Sequence, residues 1–281
     1  MEDLSWSEAR DLFRTWRETN ARKSNEVLYH WHLSLNINLN KLGNEKFLIV
    51  EQVCIAAFDC YQLDVANECI KLLSSEFPQS LRVKKYKAMR YEAQEDYVKA
   101  LEILDSIIKA DKSNSAPKKR KIAILKAQGR YVEAIRELTD YLKTFMADAE
   151  AWQELSELYI GEQDFAKAAF CVEELILHNP HNHLLHQRYA DIKYTQGGFD
   201  NMELARSYYC QALKLNPTNI RALYGLYLTC TSIATSQKAS AQKKKDAIKM
   251  SEWALTKLKG SYKEKGFETD LESRMSAMAI N

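Results

Sequence analysis

Alanine recurs along this chain at a fixed interval. Ala66, Ala100, Ala134 and Ala168 stand 34 residues apart, and Ala205 follows after 37. A second ladder, Leu63, Tyr97, Tyr131 and Phe165, keeps the same step of 34 three positions earlier. Residues three apart share a helical face, so both ladders belong to one helix of each unit. Pro78 and Pro180 differ by three such steps and Pro217 follows 37 residues later, which places one insertion around Gly197-Gly198-Phe199-Asp200. A period of this length marks stacked supersecondary units, none of which can bury its apolar face alone.

The chemistry at each point of the period fits a helix, a turn and a second helix. Ser80, Asn114, Asp148, Asn182 and Asn219 stand two residues after the Pro-equivalent positions. All five are types whose side chains accept hydrogen bonds from the free N–H groups of a starting helix. The alanines fall in the second helix, where a small side chain lets helices approach closely. Polar turns, Gln94-Glu95-Asp96, Gln128-Gly129-Arg130 and Glu162-Gln163-Asp164, separate the helices. With only 8 Gly and 4 Pro in 281 residues, against abundant Ala, Leu, Glu, Lys and Gln, composition favours helix throughout.

The segment from Ala149 to Asn182 carries Trp152, Leu155, Tyr159, Phe165, Ala168 and Pro180, and so resembles the tetratricopeptide repeat family. The expected fold is all-α, a right-handed superhelical solenoid of tetratricopeptide-type helix pairs. The expected units span residues 47–80, 81–114, 115–148, 149–182 and 183–219, with a further unit starting at 220–234. Residues 1–46 read as N-terminal capping helices. There Ser5-Trp6-Ser7-Glu8 forms a capping box before a helix with Trp6, Ala9, Phe13 and Trp16 along one side. An end unit needs such an atypical face for solubility. Residues 235–281 read as a polar linker from Thr235 to Lys245, an amphipathic helix near Asp246 to Leu258, and a polar tail expected to fray beyond Gly260.

Several function classes find no support. Net charge is +2, from 40 basic and 38 acidic residues, so the basic signature of a nucleic-acid binder is missing. Cys54, Cys60, Cys69, Cys171, Cys210 and Cys230 form no C-x-x-C pair and read as small thiols in a reducing compartment. The first residues lack the features of a signal peptide. The most apolar window, Phe47 to Leu63, is interrupted by Glu51 and Asp59 and is short for a membrane span. The chain is therefore expected to be cytoplasmic, touching membranes only through partners. His178, His181, His183 and His186 lie close in sequence, but the register spreads them over a helix end, a turn and the next helix start. His186 takes the position of the repeat Trp, so no metal site is assigned. There is no H-E-x-x-H, no G-x-S-x-G and no glycine-rich phosphate loop; no catalytic residue and no cofactor is assigned, and an enzyme is not expected. The runs Lys118-Lys119-Arg120-Lys121 and Lys243-Lys244-Lys245 have no interleaved aromatics and read as solvated helix surface. If they dock anything, acidic protein segments or anionic lipid headgroups are the natural partners.

In a superhelix of helix pairs, the first helix of each unit lines a concave groove. The register puts Arg82 and Lys85, then Lys119 and Lys126, then Gln153 and Glu157, then Gln187 and Asp191 on its wall as partner-binding candidates. The wall changes from basic to mixed and acidic and suits an extended peptide or partner helix. One reading is a free tetratricopeptide co-chaperone or adaptor that binds acidic peptide tails. Its clamp asparagine would fall at Ile55, Met89, Ala123, Glu157 or Asp191, and none of these is Asn.

The other reading is a scaffold subunit. Lys119-Arg120-Lys121-Ile122-Ala123-Ile124 with Lys126-Ala127-Gln128-Gly129, Lys167-Ala168-Ala169-Phe170-Cys171, Asn179-Pro180-His181-Asn182-His183-Leu184 and Lys193-Tyr194-Thr195-Gln196-Gly197-Gly198 are not forced by the repeat. They resemble the family of subunit 2 of the endoplasmic reticulum membrane protein complex, from about Trp6 to Trp253 and most densely from Lys118 to Leu228. The resemblance implies a peripheral subunit on the cytoplasmic face of the endoplasmic reticulum. It would serve insertion of tail-anchored and multipass membrane proteins by clamping cytosolic parts of the other membrane and cytosolic subunits.

Overall fold

The computed structural model describes residues 4–264. Among these, every regular element is helical. The N-terminal segment contains α1 (Trp6–Glu18) and α2 (Ser24–His30), followed by a π-helical turn (Trp31–Leu35) and a 3-10 segment (Leu39–Glu45). Helix pairs follow: α3 (Lys46–Asp59) with α4 (Leu63–Glu76), α5 (Leu81–Ala93) with α6 (Tyr97–Ala110), and α7 (Ser115–Ala127) with α8 (Tyr131–Thr144). Next come α9 (Ala149–Gly161) with α10 (Phe165–His178), α11 (His183–Gln196) with α12 (Phe199–Leu215), and α13 (Ile220–Thr235) with α14 (Ala241–Glu264).

The helix starts follow the local chemistry. Ser5 and Glu8 form the reciprocal capping box at the start of α1. Asn114, Asp148, Asn182 and Asn219 each accept a backbone N–H of the helix they precede, whereas Ser80 makes no side-chain cap bond. Caps of this kind are worth about 1 kcal/mol each. The second helices have caps of their own: Asp96 accepts from the Lys99 N–H and Asp164 from the Lys167 N–H. Each of these aspartates also pairs with the lysine ammonium, at 2.6 Å and 2.7 Å.

The turn between the two helices of a pair has its own ladder. Tyr61, Glu95, Gly129, Gln163 and Gly197 all have positive φ, at 55°, 60°, 71°, 60° and 73°. They are 34 residues apart. Each tight turn thus passes once through the left-handed region, where a non-glycine residue costs about 1–2 kcal/mol. Gly198, with φ 83°, adds a second such residue at the insertion before α12.

Two compact units divide the chain, Met1–Ala134 and Ile135–Asn281, the division falling within α8. In the first unit α2 packs on α3, and each helix from α3 to α6 packs on the next in sequence. In the second unit the same holds from α9 to α14. First helices of successive pairs also touch, α3 with α5 and α11 with α13. Contacts between neighbours alone are what a repeat array is built from.

Ala66, Ala100, Ala134, Ala168 and Ala205 are all fully buried. The Leu63-Tyr97-Tyr131-Phe165 ladder is not. Leu63, Tyr97 and Phe165 are half-buried and Tyr131 is 46% exposed. The small alanine occupies the closest helix approach, so the larger side chain three residues earlier is left at its margin. A further correspondence links the helices of a pair. Buried Cys54 donates its S–H to the Ala66 carbonyl at 3.9 Å, and buried Ser156 donates its hydroxyl to the Ala168 carbonyl at 3.2 Å. Burial pushes the Cys54 thiol well above the usual range, so this thiol stays protonated.

The C-terminal reading needs correction. The expected linker from Thr235 to Lys245 is only partly a linker, because α14 already begins at Ala241. The helix expected near Asp246 to Leu258 extends at both ends, to Ala241 and Glu264. Ala247, Ala254 and Leu258 are fully buried on the face that packs against α13. Lysine is a good helix former, so Lys243-Lys244-Lys245 joins the start of this helix once its apolar face is packed. The rest of the expected tail, from residue 265 on, lies outside the described residues.

Candidate partner-binding cavities

The first unit holds a cavity of about 660 Å³ lined from α3, α5 and α7. Ile55, Met89 and Ala123 lie on its wall at equivalent points of three successive first helices. Its charged groups are Arg22, Asp59, Lys85, Glu92 and Arg120. Most of them pair internally. Arg22 donates through Nε to Asp59 at 2.8 Å, and Ser24 donates to the same carboxylate at 2.6 Å. These bonds hold the Asp59 carboxyl below its ordinary range, Arg22 contributing most. Arg120 pairs with Glu92 at 2.6 Å, and beside the cavity Arg82 pairs with Glu51 at 2.5 Å. Glu51 is nonetheless pushed up, because burial outweighs Arg82 and Lys85.

Lys85 is different. Among the described residues it enters no ion pair. Its ammonium lies 5.2 Å from the centre of the Tyr86 ring, a cation–π contact. Burial, Arg82 and Arg120 together lower its pKa, with Glu51 opposing. Lys119 and Lys126, expected beside it, do not line this cavity. Helix α7 instead turns Arg120, Ala123, Ile124 and Ala127 toward it, and Lys119 and Lys126 are half-buried with interactions of their own.

The second unit holds a cavity of about 350 Å³ that brings together Gln153, Glu157, Gln187 and Asp191. These four groups bond to one another or to their neighbours, and Arg188 also lines the cavity. Asp191 accepts from Tyr209 Oη at 2.6 Å, from Arg221 Nε at 2.9 Å and from Gln187 Nε2 at 3.4 Å. Gln187 in turn accepts from Asn219 Nδ2 at 3.0 Å, and Gln153 donates to Glu157 at 3.3 Å. Tyr209 reaches Asp191 because Gly225 lets its ring lie against α13; a Cβ there would stand 2.2 Å from Tyr209 Cζ. Burial first, then Asp191, raises the Tyr209 hydroxyl far above its usual range, so it remains a donor.

One feature of the second unit escaped the sequence reading. Met146, Trp152, Leu155, Tyr159 and Phe170 line an apolar pocket of about 360 Å³. Met146 stands at the repeat-proline position, which was the available signal, and Phe170 is 53% exposed. Trp152 Nε1 donates to the Met146 carbonyl at 2.8 Å. One period later His186 Nε2 makes the same bond to the Pro180 carbonyl, also at 2.8 Å. The imidazole therefore stands in for the indole. His183 lies between the Asn216 and Asn219 amides, at 3.1 Å and 3.0 Å, and no metal-binding cluster occurs among the described residues.

The chain matches known proteins along nearly its whole length. A family model described as the EMC2 TPR-like repeat domain matches residues 70–208. The ER membrane protein complex subunit 2 of Xenopus tropicalis is 50% identical over 277 residues, covering 98% of this chain and 93% of that protein. The protein of the same name from Dictyostelium discoideum is 33% identical over 268 residues, covering 91% and 82%. Among solved structures, the C-terminal part of a TPR repeat-containing protein from Cytophaga hutchinsonii aligns with a TM-score of 0.63 at 14% identity, over 91% of this chain and 94% of that one. At that identity it shows the fold, stacked tetratricopeptide-type helix pairs, and nothing more. Half of all positions shared from end to end is a far narrower likeness than a common repeat produces, and by it this chain belongs to the family of ER membrane protein complex subunit 2.

Proposed function

We propose that this chain is a scaffold subunit of an endoplasmic reticulum membrane protein complex, held peripherally on the cytoplasmic face of that membrane. In this reading it supports insertion of tail-anchored and multipass membrane proteins by clamping cytosolic parts of the other subunits. The observation that carries the reading is the 50% identity to a protein named as such a subunit, over 93% of that protein's length. Two features agree with it. No described helix is long and apolar enough to cross a membrane. The cavities are lined by successive first helices, so an occupant of either would touch several repeats at once. The adaptor reading fares worse, because Ile55, Met89, Ala123, Glu157 and Asp191 do line the cavities but bring no amide to orient a terminal carboxylate.

The test is recovery of a tagged full-length chain from cells. It is expected to sediment with endoplasmic reticulum membranes, to be released by alkaline carbonate, and to stay with multispanning proteins in mild detergent. Depletion is expected to lower the abundance of those proteins, since exposed segments left without a partner are degraded. A chain recovered as a monomer from cytosol overturns the proposal.

A further inference from the structure

The first unit's cavity contains one charged group that enters no ion pair among the described residues. Arg22, Arg82 and Arg120 are each neutralised by Asp59, Glu51 and Glu92. Lys85, on the wall of the same cavity, makes no ion pair; it has the Tyr86 ring and the more distant attraction of Glu51. It also borders a smaller crevice of about 230 Å³ beside Arg82 and Asn114, and its side chain is half-buried. Partly burying a cation without an ion pair is costly, and Arg82 and Arg120 add repulsion that Glu51 opposes. Next to it the wall is apolar. Ile55 is 40% exposed, Ala123 is exposed and Met89 half-buried. An uncompensated cation beside an exposed apolar strip complements one kind of occupant.

We propose that this cavity receives an acidic residue and an adjacent apolar residue from within a partner protein's segment, the carboxylate pairing with Lys85 and the apolar side chain lying on Ile55, Met89 and Ala123. The proposal deepens the scaffold reading and rests on it. The acidic residue is an internal Asp or Glu rather than a chain terminus. A terminal carboxylate on a peptide needs amide donors to orient it, and the equivalent wall positions are Ile, Met and Ala. A single side-chain carboxylate needs only the point charge that a lysine supplies.

The experiment uses the full chain in cells and in solution. Lys85→Glu and Lys85→Met are each compared with the parent for thermal unfolding and for recovery of membrane partners in mild detergent. Both variants are expected to fold and to lose partner recovery at least about tenfold, the usual consequence of removing one side of a desolvated charge pair. A third variant, Ala123→Glu, alters an exposed position and supplies a carboxylate to the cavity from within; it is expected to lower recovery as well. A photo-crosslinking residue at Ala123 in the otherwise unaltered chain is expected to capture a protein segment with Asp or Glu within about four positions of the crosslink, one helical turn. Reversing that acidic residue to Lys is expected to restore recovery by Lys85→Glu. The inference is overturned if folded Lys85→Glu and Ala123→Glu recover partners as the parent does. It is equally overturned if the crosslinked segment carries no acidic residue, or if the crosslink goes to lipid or nucleic acid. A parent chain that recovers no membrane partner at all counts instead against the scaffold reading.

Discussion

The cavities of the two units occupy the same points of the repeat and differ in how their charges are matched. In the second, Asp191 collects three donors, Tyr209, Arg221 and Gln187. In the first, the corresponding positions are Ile55, Met89 and Ala123, and Lys85 enters no ion pair among the described residues. The backbone repeat determines where these side chains stand. Whether a charge on the wall is answered depends on whether the next helix supplies the counter-group, and α13 does so for Asp191 through Arg221. A polar lining is therefore not by itself a sign of a binding site. The informative group is the one left uncompensated.

The largest expected effect tests what the units share. Ala100→Asp in the first unit and Ala168→Asp in the second both place bulk and charge at a fully buried helix contact. Each is expected to cost about 3 kcal/mol or more in chemical unfolding. A unit that tolerates the change is not built on the alanine ladder.

The second unit's closed network gives the next effect. Tyr209→Phe removes a 2.6 Å bond to Asp191 without opening a cavity. A loss of about 1–2 kcal/mol is expected by the same measurement. No loss would mean that Arg221 and Gln187 already suffice for Asp191, and that the network is looser than its distances indicate.

The turns offer a smaller and opposite change. Glu95→Gly and Gln163→Gly relieve left-handed residues at φ 60° in the first and second unit respectively. Each is expected to stabilise by about 0.5–1 kcal/mol, while Gly129→Ala, at φ 71°, is expected to cost a similar amount. Thermal melts of the three variants would show whether both units carry the same strain.

The smallest effect tests the unpaired cation of the first unit's cavity. Because burial, Arg82 and Arg120 lower the Lys85 pKa, the folded state disfavours its protonated form. That penalty is complete below the folded-state pKa and disappears as pH rises from there through the unfolded-state value. Lys85→Met is thus expected to raise the melting midpoint by about 1–2 °C at neutral pH, with the gain shrinking as pH climbs into the lysine range. A melting midpoint lowered at neutral pH would show that Lys85 stabilises the fold and is not held at a cost to it.

Much of the fold was legible because its determinants are local and periodic. Alanine spacing, the caps at Asn114, Asp148, Asn182 and Asn219, and the capping box at Ser5 all act within a helix or at its first turn. The left-handed turn position was hidden, since only Gly129 and Gly197 advertise it while Tyr61, Glu95 and Gln163 adopt it under the pull of packing on either side. The start of α14 was misread for a related reason. A lysine-rich stretch looks like a linker until Ala247 and its buried neighbours tie it to α13.

By itself the sequence determined the helix pairs, their register and the family, because helix propensity, capping and a repeating apolar step depend on residues a few positions apart. The candidate site was legible only as a set of positions. Of the eight wall residues expected, Lys85, Gln153, Glu157, Gln187 and Asp191 line the cavities of about 660 and 350 Å³, Arg82 borders the crevice, and Lys119 and Lys126 line none of these. Tertiary structure alone decided which charges are answered. Arg82 meets Glu51, Arg120 meets Glu92 and Arg221 meets Asp191 across separations of 31, 28 and 30 residues. A charge pair forms when two helices bring side chains within about 3 Å, and at such separations that distance is a property of packing, with no trace in the spacing of residues along the chain.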